Sequence, residues 1–236
     1  MCVNYIKVFM RAFYKYIVWG VACLSLCPLR GGENRELQGL CQLMERGPGD
    51  IHEHLKHLRR LSSECDSVLE LGVRGMVSTY GILAGLDKSK ASNKRYIGVD
   101  LFFPPMATLI KLEKNAKKSN ISFLFILKDD AFLDPIEVDM LFIDTLHTYA
   151  QLTFELEKFS PFVKKYITMH DTDAPWGFED EPAPYGNDKS HYPSWVDRDK
   201  RGLLAAADDF LVRHPEWELA ERYTNCHGFT VFKRRG

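Results

Sequence analysis

The sequence is poor in the features that usually sort a protein at a glance. Its six cysteines stand at 2, 23, 27, 41, 65 and 226 with no C-x-x-C pair among them. That fits neither a zinc cluster nor a dense disulfide framework, and leaves reduced, cytoplasmic thiols as the expectation. Charge of one sign is missing: 31 Lys+Arg stand against 32 Asp+Glu, so the balance gives no footprint for nucleic acid or another polyanion. There is no internal repeat and no low-complexity tract. The glycines never form G-x-G-x-x-G, which counts against a dinucleotide site. At 236 residues the chain suits a single α/β domain with additions.

The first thirty residues are short of charge. Lys7, Arg11, Lys15 and Arg30 are the only charged side chains before Glu33. Bases ahead of an apolar stretch have the outline of a signal peptide, but no small-residue cleavage site follows. The uncharged run over 16–29 is also shorter than the roughly 20 residues needed to span a bilayer. A membrane-associating helix, an uncleaved anchor, and a helix packed on the domain or on a second subunit compete here, and the last two are preferred to cleavage. Tyr5, Phe9, Phe13 and Tyr16 among the bases also suit an interfacial helix. Membrane contact through residues 1–30 and a homo-oligomer are thus both carried forward.

Residues 33–46 show a helical pattern with Leu37, Leu40, Cys41 and Met44 on one face. Gly47-Pro48-Gly49 then forces a turn, so the division expected is a helical extension over 1–49 and a domain over 50–236. Asp50, with Glu53 at the capping-box position, predicts a capped helix carrying Ile51, Leu55, Leu58 and Leu61. His52, His54 and His57 lie on it. Because 52 and 54 do not share a helical face, they read as solvated surface rather than as metal ligands.

From Ser67 short apolar strands alternate with helical patterns, which predicts a Rossmann-like, seven-stranded α/β sheet with a C-terminal antiparallel hairpin and N-terminal helices. The strands expected are 67–71, 95–99, 121–127, 139–143, 166–169, 216–222 and 228–232. Helices are expected at 77–86, 106–118, 149–159 and around 203–212, with a short piece near 132–136. The last two strands are close enough in sequence to pair as a hairpin.

The stretch that organises the rest is Leu141 to Tyr149, LFIDTLHTY, where an apolar run ends in Asp144 and then His147. In an open parallel sheet ligands bind outside the carboxyl ends of the strands, so these two groups face whatever is bound. The competing reading makes Asp144 a cap and places His147 in the first turn of the following helix. Other strand ends carry polar groups as well. Glu70-Leu71-Gly72 leads into Val73-Arg74-Gly75, where glycine lets backbone approach a ligand. Gly98-Val99-Asp100 offers an acid able to accept ribose hydroxyls, with a helix cap as the alternative. Lys128-Asp129-Asp130 offers a carboxylate for an exocyclic amine. The strand near 166–169 releases His170, Asp171, Thr172 and Asp173 together.

Taken jointly, VLELG at 68–72 with Ser78, GVD at 98–100, FIDTLHTY at 142–149 and HDT at 170–172 resemble the class I S-adenosylmethionine-dependent methyltransferases. The likeness is stronger to a branch that methylates sugar hydroxyls: macrolide and aminocoumarin sugar O-methyltransferases, cephalosporin hydroxylase-like proteins, and rhamnosyl methyltransferases of bacteria and giant viruses. It covers about residue 50 to the C-terminus. The resemblance implies that Glu70, Gly72 and Ser78, with Val73 in the same turn, hold the methionine part of S-adenosylmethionine, Asp100 its ribose, and Asp129 or Asp130 its adenine. Asp144 joins this set.

In several members a Mg²⁺ sits between the strand-four acid and an acidic pair ending strand five. Here Asp144 and Asp171 match, but His170 replaces the first acid, and imidazole suits Mn²⁺ or a transition metal better. His147 is expected to act as the base toward a sugar or glycan hydroxyl, with Asp144 orienting it or binding the metal. The irregular segment 172–200, with Trp176, Tyr185, Tyr192, Trp195 and prolines at 175, 182, 184 and 193, is the expected acceptor region. Small-molecule, catechol-like O-methylation and noncatalytic S-adenosylmethionine binding are the alternatives. The missing third glycine disfavours a nicotinamide-dependent oxidoreductase.

Overall fold

The structure, a computed structural model, describes residues 33–182 and 192–236. The expectations for residues 1–30, and for Pro184 and Tyr185, lie outside the described residues. No helix among those described is long and apolar enough to cross a membrane.

Five parallel strands, β1 (Ser67–Leu71), β2 (Lys94–Asp100), β3 (Ile121–Leu127), β4 (Val138–Ile143) and β5 (Val163–His170), are followed by an antiparallel pair, β6 (Trp217–Tyr223) and β7 (Phe229–Arg234). The order across the sheet is β3-β2-β1-β4-β5-β7-β6. All seven expected strands are present, β1 and β3 with the expected ends, while β5 begins earlier, at Val163. β4 is buried along its whole length because both faces are covered.

Alternation along the strands feeds two cores. On one face Val68, Tyr96, Met140 and Phe142 meet α1 (Arg35–Glu45), α2 (Leu55–Ser62), α3 (Val77–Lys88) and α4 (Met106–Lys118). On the other, Leu69, Val99, Leu141 and Ile167 meet α5 (Tyr149–Phe159) and α6 (Leu203–Arg213). Residues 33–236 form one compact unit, and the division expected at 49/50 falls inside it, since Leu37 and Cys41 of α1 are fully buried in the first core. Helices α2 and α3 pack closely because a Cβ at Gly85 would come within 2.6 Å of that of Ser62.

Two local expectations are corrected. Asp50 does not cap a helix: Ile51 takes that position without a side-chain bond, a short 3-10 turn spans His52–His54, and α2 begins only at Leu55. The Asp50 carboxylate is taken by Arg74 at 2.8 Å, from a turn distant in sequence. The short piece near 132–136 is a 3-10 turn at Asp130–Phe132.

Strands β1 and β4 are neighbours, while the chain runs from β1 outward through β2 and β3 and from β4 outward through β5. The direction of winding therefore reverses between β1 and β4. That reversal opens the crevice in which doubly wound sheets bind ligands. Gly72 and Asp144, the residues following these two strands, lie at its floor.

Candidate active site

The turn after β1 is tight and unusual. Gly72, Arg74 and Met76 all have positive φ, at 80°, 37° and 63°, a region that costs non-glycine residues energy and is kept where surrounding structure imposes it. Asp100, at the end of β2, is the clamp. Its Oδ2 accepts the backbone N–H groups of Val73 and Arg74, each at 2.9 Å, and its Oδ1 accepts that of Phe102 at 2.9 Å. It does not cap α4, whose first turn follows Pro105. Three of a carboxylate's roughly four lone-pair sites are thus used, leaving room for one further donor.

Glu70 has no exposed surface, and its carboxylate accepts from the hydroxyls of Ser78, Thr79 and Tyr96. Glu70 and Ser78 therefore tie the start of α3 to the sheet from beneath, next to the turn where the methionine part of a cofactor is expected. Burial raises the Glu70 carboxyl to about 7, against those three donors.

The acids after β3 also divide. Asp129 caps the 3-10 turn by accepting from Ala131 at 2.8 Å, and its second oxygen has no partner among the described residues. Asp130 is buried and turned to α5, where Gln151 Nε2 reaches both its oxygens at 3.2 Å. Burial and Asp130 together hold the neighbouring Glu155 carboxyl well above its ordinary range. Asp130 is thus bonded to α5.

At the ends of β4 and β5 the expected groups converge. Helix α5 starts at Tyr149 with Thr148 as its cap, accepting from Gln151, so neither Asp144 nor His147 is spent on the helix. His147 Nε2 lies 3.0 Å from Asp171 Oδ2 and 3.7 Å from Asp144 Oδ1. His170 Nδ1 lies 3.1 Å from the same Asp171 oxygen and 3.6 Å from the same Asp144 oxygen. Burial opposes charge on both imidazoles, but Asp144 and Asp171 outweigh it, raising His147 to about 9 and His170 well above its usual value. Both carboxylates are held low by the two histidines despite burial.

His170 is oriented from behind. Its Nε2 donates toward the carbonyls of Cys226 at 3.0 Å and Asp50 at 3.1 Å, which fixes the tautomer and aims Nδ1 at the carboxylates. The Cys226 carbonyl comes from the β6–β7 turn, where Cys226, His227 and Gly228 have positive φ, and that of Asp50 from the segment before the 3-10 turn at His52–His54. Asp171 itself sits at φ 57°.

The donor set has the chemistry of a cation site. Asp144, His147 and Asp171 can each place one ligand atom within 4.8 Å of the others. Nδ1 of His170 and both ring nitrogens of His147 are buried and make no aligned hydrogen bond, although carboxylate oxygens stand close by. Nitrogen lone pairs and carboxylates aimed at one point suit a divalent ion such as Mn²⁺.

Two contacts of His147 leave no mark in the sequence. Glu181 Oε2 stands 3.2 Å from His147 Nδ1, and the Trp176 ring stacks on His147 at 5.9 Å between centroids and 12° between planes. Trp176 was assigned to the acceptor region, but nothing in the pattern of that irregular segment sets either residue against His147.

His54 is another surprise. Expected on the surface, it is fully buried, stacked on Phe229 at 5.0 Å, with Nε2 bonded to the Asn225 carbonyl at 2.9 Å. Burial pushes its imidazole down to about 4. A histidine depressed in the folded state binds fewer protons than the unfolded chain between pH 6.5 and 4. Its contribution is therefore complete above about 6.5 and is lost as pH falls toward 4, at a cost of about 3 kcal/mol. Urea midpoints measured from pH 8 to pH 4 are expected to fall over that window and to flatten in His54→Phe. Equal slopes in both proteins would exclude His54 as the source.

No family model matches the sequence, and a search of curated proteins found no match. Solved structures do resemble it. Cofactor-bound Rv0187 from MTB aligns over 96% of this chain and 96% of its own, with 14% identity and a TM-score of 0.52. A methyltransferase from Geobacter sulfurreducens aligns over 97% and 96%, with 10% identity and a TM-score of 0.50. The O-methyltransferase from Bacillus cereus in complex with SAH aligns over 88% and 93%, with 12% identity and a TM-score of 0.48. At such identities the likeness is one of fold, and that fold is the methyltransferase form of the Rossmann-like sheet.

Proposed function

We propose that the protein is an S-adenosylmethionine-dependent O-methyltransferase acting on a hydroxyl of a sugar or glycan, with a divalent cation held by Asp144 and Asp171. The observation that carries this reading is the convergence of Asp144, His147, His170 and Asp171 at the winding reversal, beside the turn that Asp100 clamps. The cofactor-bound and methyltransferase structures of the same fold support it.

S-adenosylmethionine supplies an already activated methyl group, and a divalent cation would supply charge that acidifies an acceptor hydroxyl. The chain's own work is then largely positioning. The Asp100 clamp keeps the Val73 and Arg74 backbone at the crevice floor, and the stacked Trp176 ring offers an apolar face suited to a sugar ring. His147 can accept a hydroxyl proton once the carboxylates that hold its own proton are engaged as ligands.

The test is calorimetric titration of the full chain with S-adenosylhomocysteine and, separately, NAD, each with and without Mn²⁺, followed by methyl transfer to glycosides and to catechols. Micromolar binding of the first alone, strengthened by Mn²⁺, with turnover of glycosides is expected. Binding of neither S-adenosylhomocysteine nor S-adenosylmethionine overturns the proposal, and turnover confined to catechols overturns its acceptor class.

A further inference from the structure

One surface lies outside everything assigned above. Behind Asp100 the loop and the start of α4 expose large apolar side chains: Phe102 is 74% exposed, Phe103 62%, Met106 54% and Ile110 56%. Phe103 touches the Phe125 ring at 5.7 Å between centroids, and α4 meets the core with Leu112, Asn115 and Ala116 on its opposite side. Contiguous exposure of this kind marks a contact surface rather than ordinary solvent-facing residues.

The same helix face turns basic further along. Residues 101–118 carry Lys111, Lys114, Lys117 and Lys118 against the single acid Glu113, in a chain whose net charge is −1. Lys118 is paired with Glu36 at 2.5 Å, whereas Lys111, Lys114 and Lys117 make no ion pair among the described residues. At 100° per residue Met106, Ile110 and Lys117 fall within a stripe about 40° wide, with Lys114 on one flank and Glu113 on the other, while Lys111 lies about 100° beyond Ile110. The rise from Ile110 to Lys117 is about 10 Å.

We infer that the 101–103 loop and the exposed face of α4 form a docking surface for an anionic lipid bilayer, with the apolar tip in the interface and the lysines at phosphate level. The apolar tip precedes Lys114 and Lys117 along the helix, and these lysines complement anionic headgroups. A second copy of the chain is the poorer occupant. A two-fold contact would set this patch against itself and bring unpaired lysines together, and lysine is depleted from protein–protein interfaces. The inference is independent of methyl transfer.

Cosedimentation of the full chain with vesicles of phosphatidylcholine, alone or mixed with phosphatidylglycerol, tests it. Every variant keeps residues 1–32, so differences report on the patch. Binding is expected only to the mixed vesicles and should weaken with salt. Lys114→Gln/Lys117→Gln should lower the partition coefficient by about thirtyfold, and Phe102→Asp by about tenfold, both with unchanged thermal midpoints because these side chains are exposed. Absence of wild-type binding, or equal binding by the variants, overturns the inference. So does a change in the sedimenting mass of the variants without vesicles, which would identify the patch as an interface between copies.

Discussion

Asp171→Asn is expected to lower kcat/KM toward any acceptor by about three orders of magnitude, or about 4 kcal/mol of transition-state stabilisation, and to weaken Mn²⁺ binding by at least about a hundredfold. The substitution isolates charge. Asp171 occupies the left-handed region at φ 57°, which asparagine tolerates as well as aspartate, so the backbone has no reason to move. What disappears is the carboxylate that both His147 and His170 approach, at 3.0 and 3.1 Å. The imidazole of His147, held at about 9 by Asp144 and Asp171 despite burial, should then titrate at lower pH, which NMR of the ring protons would show. Its folded-state value lies above the unfolded one, so the stability it contributes is present below pH 6.5 and is lost as pH rises through about 9. In Asp171→Asn that alkaline loss should be smaller and be complete at a lower pH. If the variant kept wild-type Mn²⁺ affinity and turnover, the cluster would not be the active site.

Legibility of the fold in the sequence followed the range of the interactions responsible. Helix Met106–Lys118 and strand Ile121–Leu127 are where periodicity put them, because alternation and amphipathic spacing are local consequences of which face is buried. Asp144, His147, His170 and Asp171 were legible for a related reason: each follows an apolar strand closely, and parallel strands end on a common rim. The failures are all long-range. Asp50 looks like a cap in its own segment, but Arg74 claims it. His54 looks solvated until Phe229, which reaches it from β7, covers the ring. Glu70 and Asp130 also stand at strand ends, and the hydroxyls on α3 and the amide of Gln151 on α5 that engage them come from elements further along the chain. Glu181 belongs to a segment with no period, where proximity to His147 leaves no mark in the sequence.

Gly72→Ala tests the geometry on which the crevice depends, and it is expected to do the most damage of any single methyl group. Gly72 has φ 80°, which costs an L-residue about 1–2 kcal/mol. A Cβ there would also stand 2.7 Å from the carbonyl carbon of Asp144 and closer still to its oxygen. The obstruction is backbone at the β1–β4 junction, where Asp144 N–H is bonded to Leu71 at 2.9 Å and Gly72 N–H to Val99 at 2.9 Å. It cannot swing aside as a flexible side chain would. Adding an overpacking cost of about 1–3 kcal/mol gives a loss near ~4 kcal/mol, and hence a thermal midpoint lower by about 10 °C. Relief is available only by pushing the ends of β1 and β4 apart, and that displaces Asp144 from His147 and Asp171. S-adenosylhomocysteine affinity and Mn²⁺ affinity should therefore fall together. Gly75→Ala in the same turn is the control, since no atom lies within 4 Å of its added Cβ and its φ is not positive. Stability within about 0.5 kcal/mol of wild type is expected for it. A Gly72→Ala protein that melted with the wild type and bound both ligands normally would mean that β1 and β4 do not set the position of Asp144.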